Sequence, residues 1–438
     1  MRSHLRSQLL LWATGLSALL LLLLLVGRFF PFTGQEKDKT SSMPTPEREA
    51  EEFFADYWLR PIAPQGLPPP SYTESEASLK PEACGSCHPQ QYADWKASLH
   101  SKAMGPGPWG QIVQMEQNSP EEAALCMTCH APLSEQSPFL AKGRDRNKTT
   151  YEKNPFFDFE LQLQGITCAA CHVRQHRRYG PPKAEAGSSG KYPAGMPDHG
   201  GVERTAHFEK AAFCKGCHQF DPENALLING KPLMDTYREW QNSIWGKGEA
   251  GCQECHMPQR RHLWKGIHDQ EWVKGGLRIE ARIEKGPSGT SAAFELSLEV
   301  VNAAVGHKFP TYPTPKVFVR AALLDGSAKV LPGTAREKVI GWDARFENGE
   351  WKEYFDTRIP PGESYRETFR WDRPATARAV RAWVEVHPDH FYHVHFYPAF
   401  LKDPELTARA KVLIERALRE SGGSAYTLFD RTLPLPGP

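Results

Sequence analysis

All ten cysteines of this chain lie in copies of one motif, in which two cysteines flank a pair of residues and a histidine follows directly. The five copies are Cys84, Cys87 and His88; Cys126, Cys129 and His130; Cys168, Cys171 and His172; Cys214, Cys217 and His218; and Cys252, Cys255 and His256. Two thiols at this spacing can form thioethers with the two vinyl groups of one porphyrin, while the adjacent imidazole binds the iron. Each copy therefore predicts one covalently bound haem c, five in all, with the motif histidines as proximal iron ligands.

Two other uses of cysteine pairs compete with this interpretation. An oxidising compartment permits disulfides, and paired Cys-x-x-Cys segments can hold structural zinc. Neither arrangement requires a histidine directly after every pair, whereas haem attachment does. A segment wrapped around five large apolar rings also needs little regular structure, because burial against the rings replaces burial of side chains on each other.

The second axial position of each predicted iron needs a ligand from elsewhere in the chain. The chain has 17 histidines, and enough remain outside the motifs to supply five such ligands. Bis-histidine ligation saturates the iron and favours electron transfer, whereas an open sixth position permits chemistry on a small molecule. Saturation is therefore possible without being proved by the sequence. The distal candidates are His100, His199, His207, His262, His268 and His307.

Local context favours several of these candidates. His100 follows the first motif in a helix-like segment that could fold back over a ring, and His207 lies seven residues before the fourth motif. His262 and His268 come just after the fifth motif, and we expect one of them to be a ligand. His307 lies in a turn between two predicted strands, from which a second domain could donate a ligand to the haem domain.

The charge balance argues against a nucleic acid partner. The chain of 438 residues carries 53 basic and 52 acidic side chains, a net charge of +1. Such a chain has no global field that would attract DNA or a strongly acidic protein. The length is that of two or three domains.

The amino terminus predicts a membrane anchor. Arg2 and Arg6 precede residues 7–27, which are uncharged and mostly leucine. As a helix this run would be about 31 Å long, close to the roughly 30 Å of a bilayer's hydrocarbon core. The prediction is an uncleaved, single-pass helix in the cytoplasmic membrane, with the haem and β domains on the periplasmic, extracytoplasmic side. A cleaved secretory signal is the alternative.

Composition and pattern divide the chain into five parts. They are a cytoplasmic tip and transmembrane anchor (1–30), a Pro-rich stalk (31–81), a mostly α or irregular pentahaem domain (82–275), a β-sandwich-like domain (276–400), and a carboxyl-terminal helix and tail (401–438). In the fourth part, apolar residues alternate with charged or polar ones over 277–283 and 294–300, which indicates half-buried strands. Further strands are expected at 316–324, 364–371 and 378–387, in an antiparallel sandwich. A helix with Asp403 as its cap is expected to follow.

Three stretches of the haem region resemble the multihaem cytochrome c family that includes the tetrahaem electron carrier of ammonia oxidation. They are 84–104, 207–220 and 236–258. The resemblance implies that His100 and His207 are distal ligands. The segment 306–311 is similar to an element beside the haem domains of some members. This chain departs from the family pattern in having five motifs and a predicted anchor, so a particular redox partner does not carry over.

These features predict a protein that moves electrons. The leading hypothesis is a conduit between a quinol-linked membrane partner, with the amino-terminal helix as tether, and an extracytoplasmic acceptor protein. The alternative is a multihaem oxidoreductase that acts on a small nitrogen or sulfur compound at one open haem. A third hypothesis is a sensory role in which the haems report redox state.

Overall fold

The computed structural model describes most of the chain after residue 45. The described residues are 46–60, 62–145, 148–183, 201–220, 227–248, 250–285, 293–347, 350–372 and 374–435. The predicted anchor at 1–30 and the distal candidate His199 lie outside these ranges.

The predicted fold class and localisation need a correction. Searched over the described ranges, the helices include none with the length and apolar character needed to cross a membrane. The longest of them, Ala408–Gly422, has 15 residues. It rises about 22 Å, which is less than the roughly 30 Å of a hydrocarbon core. The transmembrane helix and the single-pass membrane localisation are thus not supported by the structure.

The haem-motif region, 74–276, consists of short helices joined by turns. With the segment that precedes it, its helices are α1 Pro46–Tyr57, α2 Glu74–Ala77, α3 Pro81–Cys87, α4 Pro89–Ala97, α5 Pro106–Asn118, α6 Pro120–His130, α7 Phe159–Leu163, α8 Cys168–His172, α9 Ala212–His218, α10 Thr236–Gln241, α11 Ile244–Lys247, α12 Cys252–His256 and α13 Gln270–Gly276. Its small strands are β1 Phe139–Asp145, β2 Lys148–Lys153, β3 Val173–Arg174, β4 Arg177–Gly180, β5 Val202–Arg204, β6 Leu227–Ile228 and β7 Lys231–Pro232. Proline begins several of these helices, where its missing N–H costs no intrahelical hydrogen bond.

Eight longer strands form the second region. They are β8 Leu277–Lys285, β9 Ala293–Asn302, β10 Lys316–Leu324, β11 Arg336–Glu347, β12 Glu350–Asp356, β13 Ser364–Asp372, β14 Ala379–His387 and β15 Tyr426–Pro434. One sheet has the order β13-β9-β8, and the other has the order β12-β11-β10-β14-β15, with antiparallel pairing throughout.

The two sheets share one apolar core and so form a sandwich. Leu296, Leu298 and Val300 of β9 are fully buried against Val317 and Val319 of β10 and their neighbours. This burial follows the alternation seen in the sequence, because successive strand residues point to opposite faces. The antiparallel sandwich and the helix-rich haem region are therefore both present.

The carboxyl-terminal segment differs from the predicted helix and tail. Its helices are α14 Tyr397–Phe400 and α15 Ala408–Gly422. The long helix begins at Thr407, whose hydroxyl accepts from the Ala410 N–H (3.3 Å), and not at Asp403. The carboxylate of Asp403 accepts from the Glu405 N–H (2.9 Å) in a turn that comes before the helix. The chain then returns as β15, which pairs with β14 and completes the sandwich.

Helix α15 also joins the sandwich region to the haem-motif region. The Gln114 side chain on α5 donates to the carbonyl of Glu405 (3.0 Å) and accepts from the N–H of Thr407 (3.0 Å). A side chain in place of Gly110 on α5 would collide with Ile414, which shows how closely the two helices approach. The regions are therefore packed as neighbours.

Candidate haem-binding centre

Each Cys-x-x-Cys-His motif forms the last turn of a short helix. Motifs one to five lie at the ends of α3, α6, α8, α9 and α12, respectively. Residues three and four apart are neighbours on a helix surface, so both thiols and the imidazole lie on one side of each turn. None of the ten cysteines forms a disulfide bond. The described residues contain no group of three or more His, Cys, Asp or Glu side chains arranged to hold a metal ion by themselves.

Thiols of different motifs lie in hydrogen-bonding contact. Cys84 contacts Cys168, which brings motifs one and three together. Cys129 contacts Cys217, which joins motifs two and four. Cys214 contacts Cys252, which joins motifs four and five. These contacts join the attachment points into two groups, motifs one and three and motifs two, four and five, although the motifs are spread over more than a third of the sequence.

Four motif histidines are held through Nδ1. The Nδ1–H groups of His130, His172 and His256 face backbone carbonyls of Ala103 (2.7 Å), Tyr179 (2.9 Å) and Lys265 (2.9 Å). In the fourth motif, His218 Nδ1 lies 3.0 Å from the hydroxyl of Tyr312. Because a carbonyl can only accept a hydrogen bond, Nδ1 carries the proton in His130, His172 and His256. Nε2 of each ring is then left with the lone pair that a metal needs. The donor chemistry thus fits haem ligation.

Three distal candidates have their imidazole ring close to that of a motif histidine. The ring centroids of His172 and His262 are 6.1 Å apart, and those of His218 and His100 are 6.4 Å apart. Two imidazoles bound to opposite sides of one metal ion, each with a bond of about 2 Å, have ring centres about 6 Å apart. Both separations therefore match a shared iron.

The third pair lies between the two regions of the molecule. The rings of His256 and His307 have centroids 6.4 Å apart and are nearly parallel, at 11°. His307 belongs to the loop between β9 and β10, so the sandwich supplies this imidazole. Nδ1 of His307 donates to the carbonyl of Lys308 (3.0 Å), and Nδ1 of His262 similarly donates to that of Arg260 (3.1 Å).

Burial keeps these imidazoles neutral. It lowers the pKa of His100 to about 3, and it lowers the pKa values of His218 and His262 to about 4 each, with neighbouring histidines adding to the effect. Burial also lowers the pKa of His307. An imidazolium has no lone pair for a metal, so a depressed pKa keeps the ligand form available at neutral pH.

The other candidates have different surroundings. The ring of His207 stacks on Phe53, with centroids 4.3 Å apart. Nε2 of His268 lies 3.1 Å from both carboxylate oxygens of Asp389 on the sandwich side. His199 lies outside the described residues. The structure thus brings His100, His262 and His307 to motif histidines, whereas the ligand roles of His207, His268 and His199 stay predictions.

A buried carboxylate that the sequence analysis did not single out anchors the loop that carries His307. Glu239 on α10 accepts from the Lys308 N–H (3.1 Å) and from the Thr311 hydroxyl (2.9 Å), and it forms an ion pair with Arg358 (3.4 Å). The side chains of Glu239 and Arg358 are 5% and 3% exposed. Burial raises the pKa of Glu239, while Arg358 opposes the shift. A lone Glu in a short helix gave no signal of this role.

A second carboxylate anchors the loop that carries His262. Asp94 on α4 accepts two hydrogen bonds from the guanidinium of Arg261 (2.6 and 2.7 Å) and one from the His262 N–H (3.1 Å). The bonds from Arg261 hold the pKa of Asp94 below its usual range. The loop after the fifth motif is thereby fixed to the helix that follows the first.

Part of the predicted stalk packs into the centre. The guanidinium of Arg60 lies 3.1 Å from the sulfur of Cys129 and 2.9 Å from that of Cys217. The hydroxyl of Tyr57 donates to the carbonyl of Cys171 (2.7 Å), and Ile62 is buried in an apolar cluster with Leu133. The Pro-rich composition of this segment gave no indication of the contacts of Arg60 and Ile62.

Comparison with known proteins is consistent with this geometry. Residues 83–152 match the family described as cytochrome c554 and c-prime. The crystal structure of a penta-heme cytochrome c552 from Thermochromatium tepidum aligns with 82% of this chain and 99% of its own, with 18% sequence identity and a TM-score of 0.56. The putative ApaA protein from Bordetella pertussis matches 25% of this chain and 75% of its own, with 14% identity and a TM-score of 0.15. The first of these structures shares the fold.

Proposed function

We propose that this chain is a multihaem c-type cytochrome that holds five haem c groups and passes electrons among them between two redox partner proteins; the family match over residues 83–152 and the shared fold support this proposal. The penta-heme structure that shares its fold and the five motifs in the sequence support the number five. A haem iron supplies a one-electron couple when bound. We propose a quinol-linked donor and a protein acceptor.

The observation that carries this proposal is the set of three imidazole pairs. In these pairs His172 lies opposite His262, His218 opposite His100, and His256 opposite His307, at separations that suit one iron between each pair. We propose the motif histidines as proximal ligands and the other three as distal ligands. Two neutral imidazoles leave no open position, which favours electron transfer over chemistry on a substrate.

The protein's own contribution is position and burial. Hydrogen bonds at Nδ1 orient the rings, and burial keeps them neutral and dry, so that little solvent must reorganise when charge moves. The contacts between thiols of motifs one and three, two and four, and four and five bring the attachment points close together. This proximity supports electron transfer within each of the two groups of motifs.

The fifth motif offers a contact point for a partner. Cys255 is exposed, whereas the other nine cysteines are partly buried. Trp272, whose ring lies 6.3 Å from that of His256, is also 37% exposed. A thioether edge near the surface shortens the path to another protein, so we propose this motif as one end of the conduit.

Electron paramagnetic resonance of the oxidised holoprotein tests the ligand set. We expect His262→Ala and His307→Ala each to convert one low-spin haem to high spin, because one axial ligand is lost. His268→Ala is the matched control, since its imidazole faces Asp389, and we expect it to leave the spectrum unchanged. Unchanged low-spin signals in both ligand variants would refute the proposed pairs. Mass spectrometry of the native protein checks the count of five haems.

One observation favours the alternative, an oxidoreductase acting on a small nitrogen or sulfur compound. The three ring pairs contain the motif histidines His172, His218 and His256, so they assign no distal ligand to the haem of motif one or of motif two. A stoichiometric high-spin signal in the wild-type protein, perturbed by added nitrite or hydroxylamine, would support an open site there. A wholly low-spin spectrum would exclude it.

A further inference from the structure

Trp264 lies between two of the proposed distal ligands. Its ring contacts His100 edge to face, with centroids 4.5 Å apart at 65°, and His262 in the same manner, 5.0 Å apart at 86°. Its backbone N–H donates to the carbonyl of His256 (2.9 Å). One residue therefore contacts the imidazoles facing motifs three and four and the main chain of motif five.

The backbone around Trp264 adopts conformations that bulky residues avoid. Trp264 has a φ of +40°, and Gln259 and Arg260 in the same loop have φ values of +55° and +61°. Left-handed backbone at residues other than glycine is costly and persists only where surrounding contacts impose it. Such contacts exist here, since the Arg260 guanidinium donates to the Glu209 carboxylate (2.5 Å) and to the Pro182 carbonyl (2.8 Å).

The bond between Arg261 and Asp94 fixes the same loop from the side of the first motif. The indole of Trp264 is consequently attached to a segment held at several points. It is not a freely rotating surface side chain.

We propose that Trp264 is a positioning residue that sets the ring planes of both His100 and His262. This inference rests on the proposed function, because it takes the two histidines to be distal ligands. Edge-to-face contact favours a restricted range of ring angles, so the indole limits rotation of each imidazole about its Cβ–Cγ bond. A single side chain thus orients the ligands of two haems and couples their geometries.

The orientation of the axial imidazole planes determines the g values of a low-spin ferric haem, which gives a direct measurement. We expect Trp264→Ala in the full holoprotein to shift two of the low-spin signals and to leave the others in place, with unchanged haem content per chain. Trp272→Ala is the matched control, because that ring lies near His256 and, within the described ranges, makes no ring contact with His100 or His262, so we expect it not to move the same two signals.

Trp264→Phe keeps an aromatic ring in the loop and covers the case in which the alanine variant does not fold. We expect a smaller shift of the same two signals. Wild-type g values in every folded Trp264 variant would overturn the proposal, and so would shifts of the same two signals in Trp272→Ala.

Ligand variants separate this inference from the function on which it rests. If His100→Ala and His262→Ala each produce a high-spin haem but the Trp264 variants keep wild-type signals, the ligand set stands and the positioning role is wrong. If neither histidine variant produces high spin, the ligand set itself fails.

Discussion

The haem-motif region and the sandwich differ in what fills their interiors. The sandwich has strands of 7 to 12 residues that bury alternate side chains in one continuous apolar core. The haem-motif region has helices of 4 to 13 residues and several small, separate clusters. The sandwich can therefore be stabilised by its own side chains, whereas the other region depends on the groups attached to its cysteines.

The two regions meet where each contributes to the same proposed haem. His256 comes from the haem-motif region and His307 from the sandwich, and the buried Glu239–Arg358 pair joins the two beside them. In this proposal the sandwich, which its own core stabilises, supplies one haem ligand to a region that depends on its haems for stability.

Preventing haem attachment should have the largest effect. In a host without cytochrome c maturation, we expect residues 74–276 to lose their protection from hydrogen exchange, because the apolar rings that they surround are absent. The sandwich strands should remain protected. A haem-free chain with fully protected motif helices would contradict the comparison.

The second-largest effect is expected when the buried ion pair between Glu239 and Arg358 is broken. Glu239→Ala removes one of the two carboxylates beside the buried Arg358, which keeps Asp356 as its partner. It also removes the acceptor of the Lys308 N–H and of the Thr311 hydroxyl, and an unsatisfied buried group typically costs about 1–3 kcal/mol. We expect lower resistance to denaturant together with partial high-spin character in the haem between His256 and His307. Glu299→Ala is the control, since Glu299 pairs with the exposed Arg366 and should have little effect on either measurement.

A cavity in the sandwich should cost stability without changing the haems. Leu298 is fully buried in the shared core, so Leu298→Ala should lower the free energy of unfolding of the sandwich by about 2–5 kcal/mol. Val412→Ala, at a position 65% exposed, is the control and should change it little. Altered haem spectra in folded Leu298→Ala protein would show that the regions are less separate than proposed.

Acid should weaken a second contact between the regions, the ion pair of Lys231 with Asp356. Burial alone would raise the pKa of Asp356 on β12, but hydrogen bonds from Arg358 and from Lys231 on β7 outweigh it and lower the pKa below the usual range. A carboxyl with a lowered folded pKa contributes stability above its unfolded pKa of about 3.9, and this is lost as pH falls toward the folded value.

Unfolding measured between pH 5 and pH 2.5 checks this contribution, which we expect to be on the order of 1–2 kcal/mol. Asp356→Asn should be less stable than the wild type at pH 5, and the difference should shrink toward pH 2.5. A difference that stays constant with pH would refute the prediction.

The smallest effect is expected at Arg60. The buried positive charge of Arg60, beside Cys129 and Cys217, favours the reduced iron of a nearby haem. Arg60→Met removes this charge, so the reduction potentials of the nearest haems should fall by about 60 mV or less. Arg60→Lys keeps the positive charge, so the reduction potentials should fall less in this variant than in Arg60→Met. Spectroelectrochemical titration measures both, and equal potentials in all three proteins would exclude the effect.

Local patterns made several features predictable. The alternation at 294–300 predicted β9, and the strands expected at 316–324 and 364–371 match β10 and β13 to within one residue. The last strand, β15, was not predicted, because Asp430 and Arg431 interrupt its alternation and it is recognised only by pairing with β14. Arg60 was likewise hidden in a segment whose composition suggested a stalk.

The sequence by itself determined the chemistry of the cofactor, because thioether attachment and the proximal imidazole need residues that are adjacent in the chain. It could not determine which distal histidine faces which motif, since His262 reaches the third motif and His307 the fifth only after the chain folds. The carboxylates that hold these loops, Asp94 and Glu239, are likewise distant in sequence from the histidines that they help to place. The spacing of the haem attachment residues can be read from a short stretch of sequence, whereas tertiary packing determines which histidine becomes the sixth ligand of an iron.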